Sequence, residues 1–396
     1  MTDHESRENR QENEEHQESA RRVKKTKKKW WVFAAIFAVV LGIVLLAAWR
    51  DGTGFDALNR FFTYGKSTQE EAEVFLYETD KTNRFASLNN SLVVLSMTQL
   101  RLYDSEGQLL LSESVKMDRP ALCVGKNLAV AYDVGGTDYY VFNEEEILLR
   151  GENELEMPLI SADLNEDDYL ALVVGKSGYK GAVNVYNSDL ELIFEFNSSS
   201  RFLSDGVVFG GGKRIAAVAL EQENATFVSS VVIYKTNATE EMAACKISDG
   251  LVLDLASDGS TATAVTDRSV VFVDDNGSVS GTYDYEGKFL RGYSLDGDGY
   301  ATVLLNHYKS GSMATLVTVD KSGKVLGSLD INEEVLSVSA AGRYVAVLYA
   351  DHLSVYTSSL AEYSVLEGVD YAKAALVRAD GSVMVAGASQ AALYIP

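Results

Sequence analysis

Residues 289–329 read FLRGYSLDGDGYATVLLNHYKSGSMATLVTVDKSGKVLGSL, and this stretch decides the fold. Phe289 to Leu295 is an apolar run that ends in the turn Asp296-Gly-Asp-Gly299. Tyr300 to Asn306 and Ala314 to Val319 are two further runs, and Asp320-Lys-Ser-Gly323 turns the chain into Lys324 to Leu329. Asx-Gly pairs accept the positive φ that a tight hairpin needs, so the stretch predicts four consecutive antiparallel strands. The third run belongs to a pattern in which an apolar strand closes on an aromatic residue or Val and then a turn residue. That pattern recurs at Leu102-Tyr103-Asp104, Val141-Phe142-Asn143, Val185-Tyr186-Asn187, Ile233-Tyr234-Lys235, Phe272-Val273-Asp274, Thr318-Val319-Asp320, Val355-Tyr356-Thr357 and Leu393-Tyr394-Ile395. The middle residues are separated by 39, 44, 48, 39, 46, 37 and 38 positions. A period of that length with several strands per unit is the signature of a β-propeller.

Second strands such as Asn127-Leu-Ala-Val-Ala-Tyr132 and Tyr344-Val-Ala-Val-Leu-Tyr349 are small and β-branched, as strands covered on both faces should be. The last unit stops at Pro396, after its third strand. Glu73-Val-Phe-Leu-Tyr-Glu78 can supply the missing outer strand, which closes the ring and removes open sheet edges. The fold class predicted is all-β, a propeller of eight four-stranded blades closed by an N-terminal strand and preceded by one transmembrane helix. Seven blades, with one weak unit as an insertion, or two smaller sheets are the alternatives.

Four segments follow: a polar tail with a basic flank over 1–29, a membrane span over 30–49, a linker over 50–72, and an extracytoplasmic propeller over 73–396. Trp30 to Trp49 contains no charged residue. At 1.5 Å per residue, about 20 residues match the roughly 30 Å hydrocarbon core of a bilayer. Trp30, Trp31 and Trp49 stand where indole rings favour the lipid–water interface, and Lys27, Lys28 and Lys29 end a basic cluster directly before the span. Only Arg50 and Asp51 follow it, so the positive-inside rule predicts a cytoplasmic N-terminus and places the large domain outside. A cleavable signal peptide is the competing reading. The apolar core is long for one, and Ala47-Ala48-Trp49 is not a small-x-small site. In the linker, Phe55, Leu58, Phe61 and Phe62 share one helical face, suited to an outer leaflet or to the underside of the domain.

The chain carries 35 Lys+Arg against 57 Asp+Glu. Ten of the basic and seven of the acidic residues fall in 1–50, which leaves 25 against 50 and a net charge of −25 beyond the span. Such a domain repels nucleic acid and suits a basic partner or cations. Two cysteines, Cys123 and Cys245, sit in different repeats within apolar stretches and read as buried free thiols, which excludes a disulfide framework.

The order of polar tail, Lys-rich flank, Trp-bounded span, brief linker and acidic repeat domain resembles a domain-of-unknown-function family of single-pass proteins from Gram-positive bacteria. The resemblance implies a cell-envelope setting and carries no assigned activity. The repeats also look like those of quinoprotein-type and WD-type propellers, but lack a regular Trp-Asp ending or a repeated Trp docking motif.

Catalytic signatures are sparse. No Gly-x-Ser-x-Gly occurs, and Gly210-Gly-Gly212 precedes a strand rather than a helix. Asp163-Leu-Asn-Glu-Asp167 starts like a calcium loop, but Asp168 stands where Gly is expected and Val174 where Glu is. A hairpin turn accounts for it. His307 and His352, with Asp351, would supply two imidazoles and a carboxylate. Turn histidines account for them, and no metal or other cofactor is assigned. The ends of second strands offer Asp133, Glu221, Asp267, His307 and Asp351 at comparable positions. Together they predict a polar ring on one propeller face, able to attract a basic peptide or a cation. Ordinary polar turn residues are the simpler account. The sequence therefore predicts a non-enzymatic, membrane-anchored scaffold that binds an envelope protein. An enzyme acting on a wall polymer through carboxylates at the channel mouth is the alternative.

Overall fold

The computed structural model describes residues 36–42, 53–66, 68, 74–78, 80, 82–152, 157–223, 226–247 and 250–396. The chain divides into two compact units, Met1–Ser67 and Thr68–Pro396.

Small and branched apolar residues make the second strand of each repeat a strand that can be covered on both sides. In Ser91–Leu95, Leu170–Val174, Tyr344–Leu348 and Val383–Gly387 every residue is buried. Each branched aliphatic side chain so covered contributes about 1.5–3 kcal/mol, and these strands bind neighbouring blades together. Fourth strands alternate instead, as Leu109–Ser114 and Val325–Ile331 do, with one face toward water. The result is eight antiparallel sheets of four strands. Blades 1 to 7 comprise residues 84–114, 120–152, 159–198, 202–247, 252–284, 289–331 and 337–367, and blade 8 joins 372–394 to 74–76. First strands of adjacent blades abut one another and therefore line the central channel.

Eight blades are present rather than seven, and the ring closes as the sequence predicts. Val74–Leu76 is the outer strand of blade 8, with Val74 opposite Ala392, Phe75 opposite Ala391 and Leu76 opposite Gln390. The Tyr77 hydroxyl donates to the Gly387 carbonyl at 2.7 Å, and Arg378 Nη2 donates to the Asn90 carbonyl at 2.7 Å, tying blade 8 to blade 1. Phe75 and Tyr77 pack on Tyr103, each at 5.8 Å between ring centroids. Gly107 makes room for this seam: its φ is +85°, and a Cβ there would lie 2.3 Å from the Cβ of Phe75.

The seven fourth strands that continue directly from a third strand share one irregularity. Each is bulged at its start, opposite Tyr103, Phe142, Tyr186, Tyr234, Val273, Val319 and Tyr356. A bulge twists an outer edge away from the flat geometry that recruits another strand. The closing strand Val74–Leu76 pairs without one.

In the first unit, residues 36–42 are helical and expose Ile36, Phe37, Val39, Val40 and Leu41. The remainder of the predicted span, with Lys27, Lys28, Lys29, Trp30, Trp31 and Trp49, lies outside the described residues. Among the described residues no helix is long and apolar enough to cross a membrane. The linker does form a helix, Thr53–Tyr64, in which Phe55, Leu58, Phe61 and Phe62 are exposed. Both cysteines are free. Cys245 is buried, whereas Cys123 is only half-buried because its first-strand position borders the channel.

Candidate functional site

Turns between second and third strands share one face of the propeller with the loops that lead from blade to blade. The predicted ring residues occupy this region, and their side chains do different things there. Asp133 ends the second strand of blade 2 and is buried. Its Oδ1 accepts the backbone N–H groups of Asp118 at 3.0 Å and Arg119 at 2.7 Å, clamping the loop that enters the same blade. Asp267 does likewise in blade 5, accepting the Leu251 N–H at 2.8 Å. His307 pairs its Nε2 with Thr315 Oγ1 at 2.8 Å. Glu221 is not at a strand end: it pairs with Val228 inside a hairpin whose strands, Arg214–Glu223 and Thr226–Lys235, have 10 residues each. Its polarity mimicked a turn, but the chain continues as a ladder.

Asp351 and His352 are brought together. Asp351 Oδ1 lies 2.9 Å from His352 Nδ1, and the His352 ring stacks on Tyr349 at 4.3 Å with 14° between planes. The Tyr349 N–H donates to the His352 carbonyl at 2.9 Å, and the Gly368 N–H to the Asp351 carbonyl at 3.0 Å, so the turn is held from both sides. Glu333, from the loop linking blades 6 and 7, completes a group whose ligand atoms all lie within 4.8 Å of one another. Glu333 also borders a cleft of about 480 Å³ whose wall includes Arg291, Asn306, Lys309 and Ser312.

Near the long hairpin of blade 4 three large apolar side chains are exposed. Phe227, beside its tip, is 60 % exposed, and Leu251 and Leu253 are exposed where the chain enters blade 5. The Val252 N–H donates to Ser229 Oγ at 3.1 Å, which joins the two segments. Phe202, at the start of blade 4, is exposed as well and carries the Lys180 ammonium 4.9 Å from its ring centroid.

A second polar group lies on the first strands, facing the channel. Asp163, Asp205, Asp254 and Asp296 belong to blades 3, 4, 5 and 6 in turn. Burial raises the Asp163 carboxyl well above the ordinary carboxylate range, with Asp205 and Asp254 adding repulsion. Burial also pushes Asp205 up to about 6, with Asp254 the next contributor, and raises Asp254 and Asp296. Cys123 donates its thiol hydrogen to Asp163 Oδ2 at 3.7 Å, and burial raises that thiol, so it is no ready nucleophile. Burial of this kind makes each of these carboxyls harder to ionise than an exposed one.

Residues 63–362 match DUF5711, a family of unknown function. The chain belongs to the DUF5711 family. No curated protein matches the sequence. Solved structures similar to this chain include the C-terminal WD40 domain of Sif2, at 14 % identity and a TM-score of 0.57 over 81 % of this chain and 99 % of that one. The computationally designed Ika8 protein gives 14 % identity and 0.56 over 82 % and 99 %, and the Dos1 propeller 12 % and 0.54 over 82 % and 94 %. At such identities the likeness carries the propeller fold and nothing further.

In this DUF5711 chain the channel carboxyls lie on first strands rather than second-strand ends, and in sequence Asp163 stands out only as the first residue of a calcium-like turn. The signal was present: Asp163 stands between buried Ala162 and Leu164, the alternation of a strand with one polar face. Glu333 was missed because only the folded chain brings that loop to Asp351.

Proposed function

We propose that this DUF5711 protein is a membrane-tethered, extracytoplasmic scaffold that binds a protein partner in the cell envelope. The observation that carries the reading is the apolar surface formed by Phe227, Leu251 and Leu253 around the blade 4 hairpin. Exposed aromatic and aliphatic groups on adjoining segments, here joined by the Val252–Ser229 hydrogen bond, are the usual anchor of a protein contact. The acidic propeller around it selects a partner with a basic rim. The tether is supported by the wholly apolar, exposed helical residues 36–42 and by the basic cluster that precedes them. The exposed aromatic face of Thr53–Tyr64 suits an outer leaflet.

Purification of the full chain from native membranes, beside a Phe227→Ser, Leu253→Ser variant, tests the reading. A basic envelope protein recovered by the parent and lost at least tenfold by the variant is expected. Equal recovery by both would remove this surface as the docking site.

A wall-polymer hydrolase is the second reading, and the raised pKa values of the buried channel carboxyls favour it. Asp205, with its raised pKa, would serve as general acid. Unchanged turnover of wall polymer by Asp205→Asn would dismiss it.

A further inference from the structure

We propose that Glu333, Asp351 and His352 form a binding site for a divalent transition-metal ion, Zn²⁺ or Mn²⁺, on the loop-bearing face of blade 7. Two carboxylates and an imidazole offer ligand atoms that all lie within 4.8 Å of one another. The donor set suits ions that accept both oxygen and nitrogen. Asp351 Oδ1 and His352 Nδ1 are 2.9 Å apart. At a metal–ligand distance of about 2.1 Å, two such atoms subtend roughly 90° at an ion, the angle between neighbouring ligands of an octahedral or five-coordinate centre. An ion bound between these two atoms takes the place of the hydrogen bond that joins them in the metal-free chain.

The histidine is held ready. Stacking on Tyr349 fixes the plane of its ring, and the bond from the Tyr349 N–H to the His352 carbonyl fixes its backbone. The Asp351 carbonyl is held by the Gly368 N–H from the loop that enters blade 8. A ligand pair fixed by its neighbours loses little freedom on binding an ion. Glu333 arrives on the loop that links blades 6 and 7, so the ion ties that loop to the turn of Asp351 and His352. The side chain of Asp351 is 78 % exposed, which leaves the remaining coordination positions to water.

Calorimetric titration of the purified full chain with Zn²⁺ and Mn²⁺ in 0.15 M salt tests the site, because weak surface association is screened there. One saturable site per chain is expected. Its affinity should fall at least tenfold in His352→Ala and in Glu333→Gln, and stay unchanged in Glu106→Gln, an exposed acid of a blade 1 turn. Glu333 is exposed and its replacement leaves the fold intact, so that variant decides the matter should His352→Ala unfold. Titrations of Glu333→Gln that match the parent, or the absence of a saturable site in the parent, would overturn the assignment.

Discussion

Asp205 keeps its proton to about pH 6, mainly because burial in the channel wall disfavours its charged form. In the unfolded chain a carboxyl of this type titrates near 3.9. The native state therefore binds the proton more tightly, and the sign follows. The contribution of Asp205 to stability is fully present below about pH 4 and is lost as pH rises through about 6. Asp205→Asn removes the titration; its single amide oxygen keeps one of the two N–H donors, Gly206 at 2.9 Å and Leu255 at 3.0 Å, that separate carboxylate oxygens accept, as the protonated carboxyl does with its one carbonyl oxygen. We expect the variant to melt higher than the parent at pH 7–8 and close to it at pH 4. Melting curves recorded across that range check this, and parallel pH profiles for the two proteins would contradict it. Asp168 shows what a residue-level reading of sequence can and cannot reach. Its place in a polar turn was legible, and so was its departure from the Gly that a calcium loop needs at that position. Its work was not: with φ at 60°, its buried carboxylate accepts the Asn127 N–H at 2.8 Å and the Leu128 N–H at 3.1 Å from the neighbouring blade. The partner turn lies some forty residues away, and only the repeat brings it near.

At the scale of elements, local pattern was a good guide wherever strand chemistry and turn chemistry agreed. Tyr300–Asn306 is a strand with the bounds its sequence predicts, and the strand from Phe289 runs on to Gly297, past the predicted end at Leu295 and into the turn. The blade 4 hairpin shows where agreement fails. Glu221-Gln-Glu reads as a turn by polarity, yet Glu221 pairs with Val228 and Gln222 with Phe227 because the hairpin projects into solvent. Polar residues in a projecting ladder carry no sign of its length. The candidate metal ligands split the same way: Asp351 and His352 were singled out from their turn, while Glu333 depended on a loop path. The seam gives a prediction at this scale. Gly107→Val places a side chain against Phe75, where a Cβ would be 2.3 Å away, and forces a branched residue to φ +85°. We expect a loss of about 3 kcal/mol or more, read as a shift in the urea midpoint. A shift below about 0.5 kcal/mol would mean the strand Val74–Leu76 does not pack there.

For the whole molecule, the ring makes stability a shared property. Each blade covers the next, and hydrophobic clusters cross blade boundaries: Ala216 and Val231 of blade 4 pack in one cluster with Ala262 and Val271 of blade 5. A ring that lacks one outer strand exposes the edge of blade 8 and the aromatic surface of Tyr103. Deletion of residues 390–396 removes the strand that Val74–Leu76 pairs with, together with the Gln390 carbonyl that the Tyr77 hydroxyl reaches at 3.1 Å. We expect the truncated chain to unfold over a broader urea range, as blades near the seam open before the rest. A single sharp transition at the parental midpoint would show that closure adds nothing. The number of repeats and the closing strand were both legible, because period and turn chemistry survive in a single sequence. The partner was not, since a binding surface leaves no period.

The closing strand has a further consequence, in the order of synthesis. Val74–Leu76 is among the first parts of the propeller to leave the ribosome, and Gln390–Tyr394 is almost the last. The Tyr77 hydroxyl and the Gly387 carbonyl, joined in the finished ring, are 310 residues apart in the chain. No vectorial process, whether translation or export through a narrow pore, can complete the ring before its final residues arrive. Throughout that interval the outermost strand of blade 8 is a short, unbulged segment awaiting a partner. A newly made chain is therefore most open to chaperones, proteases and other copies of itself at the seam that later makes it whole.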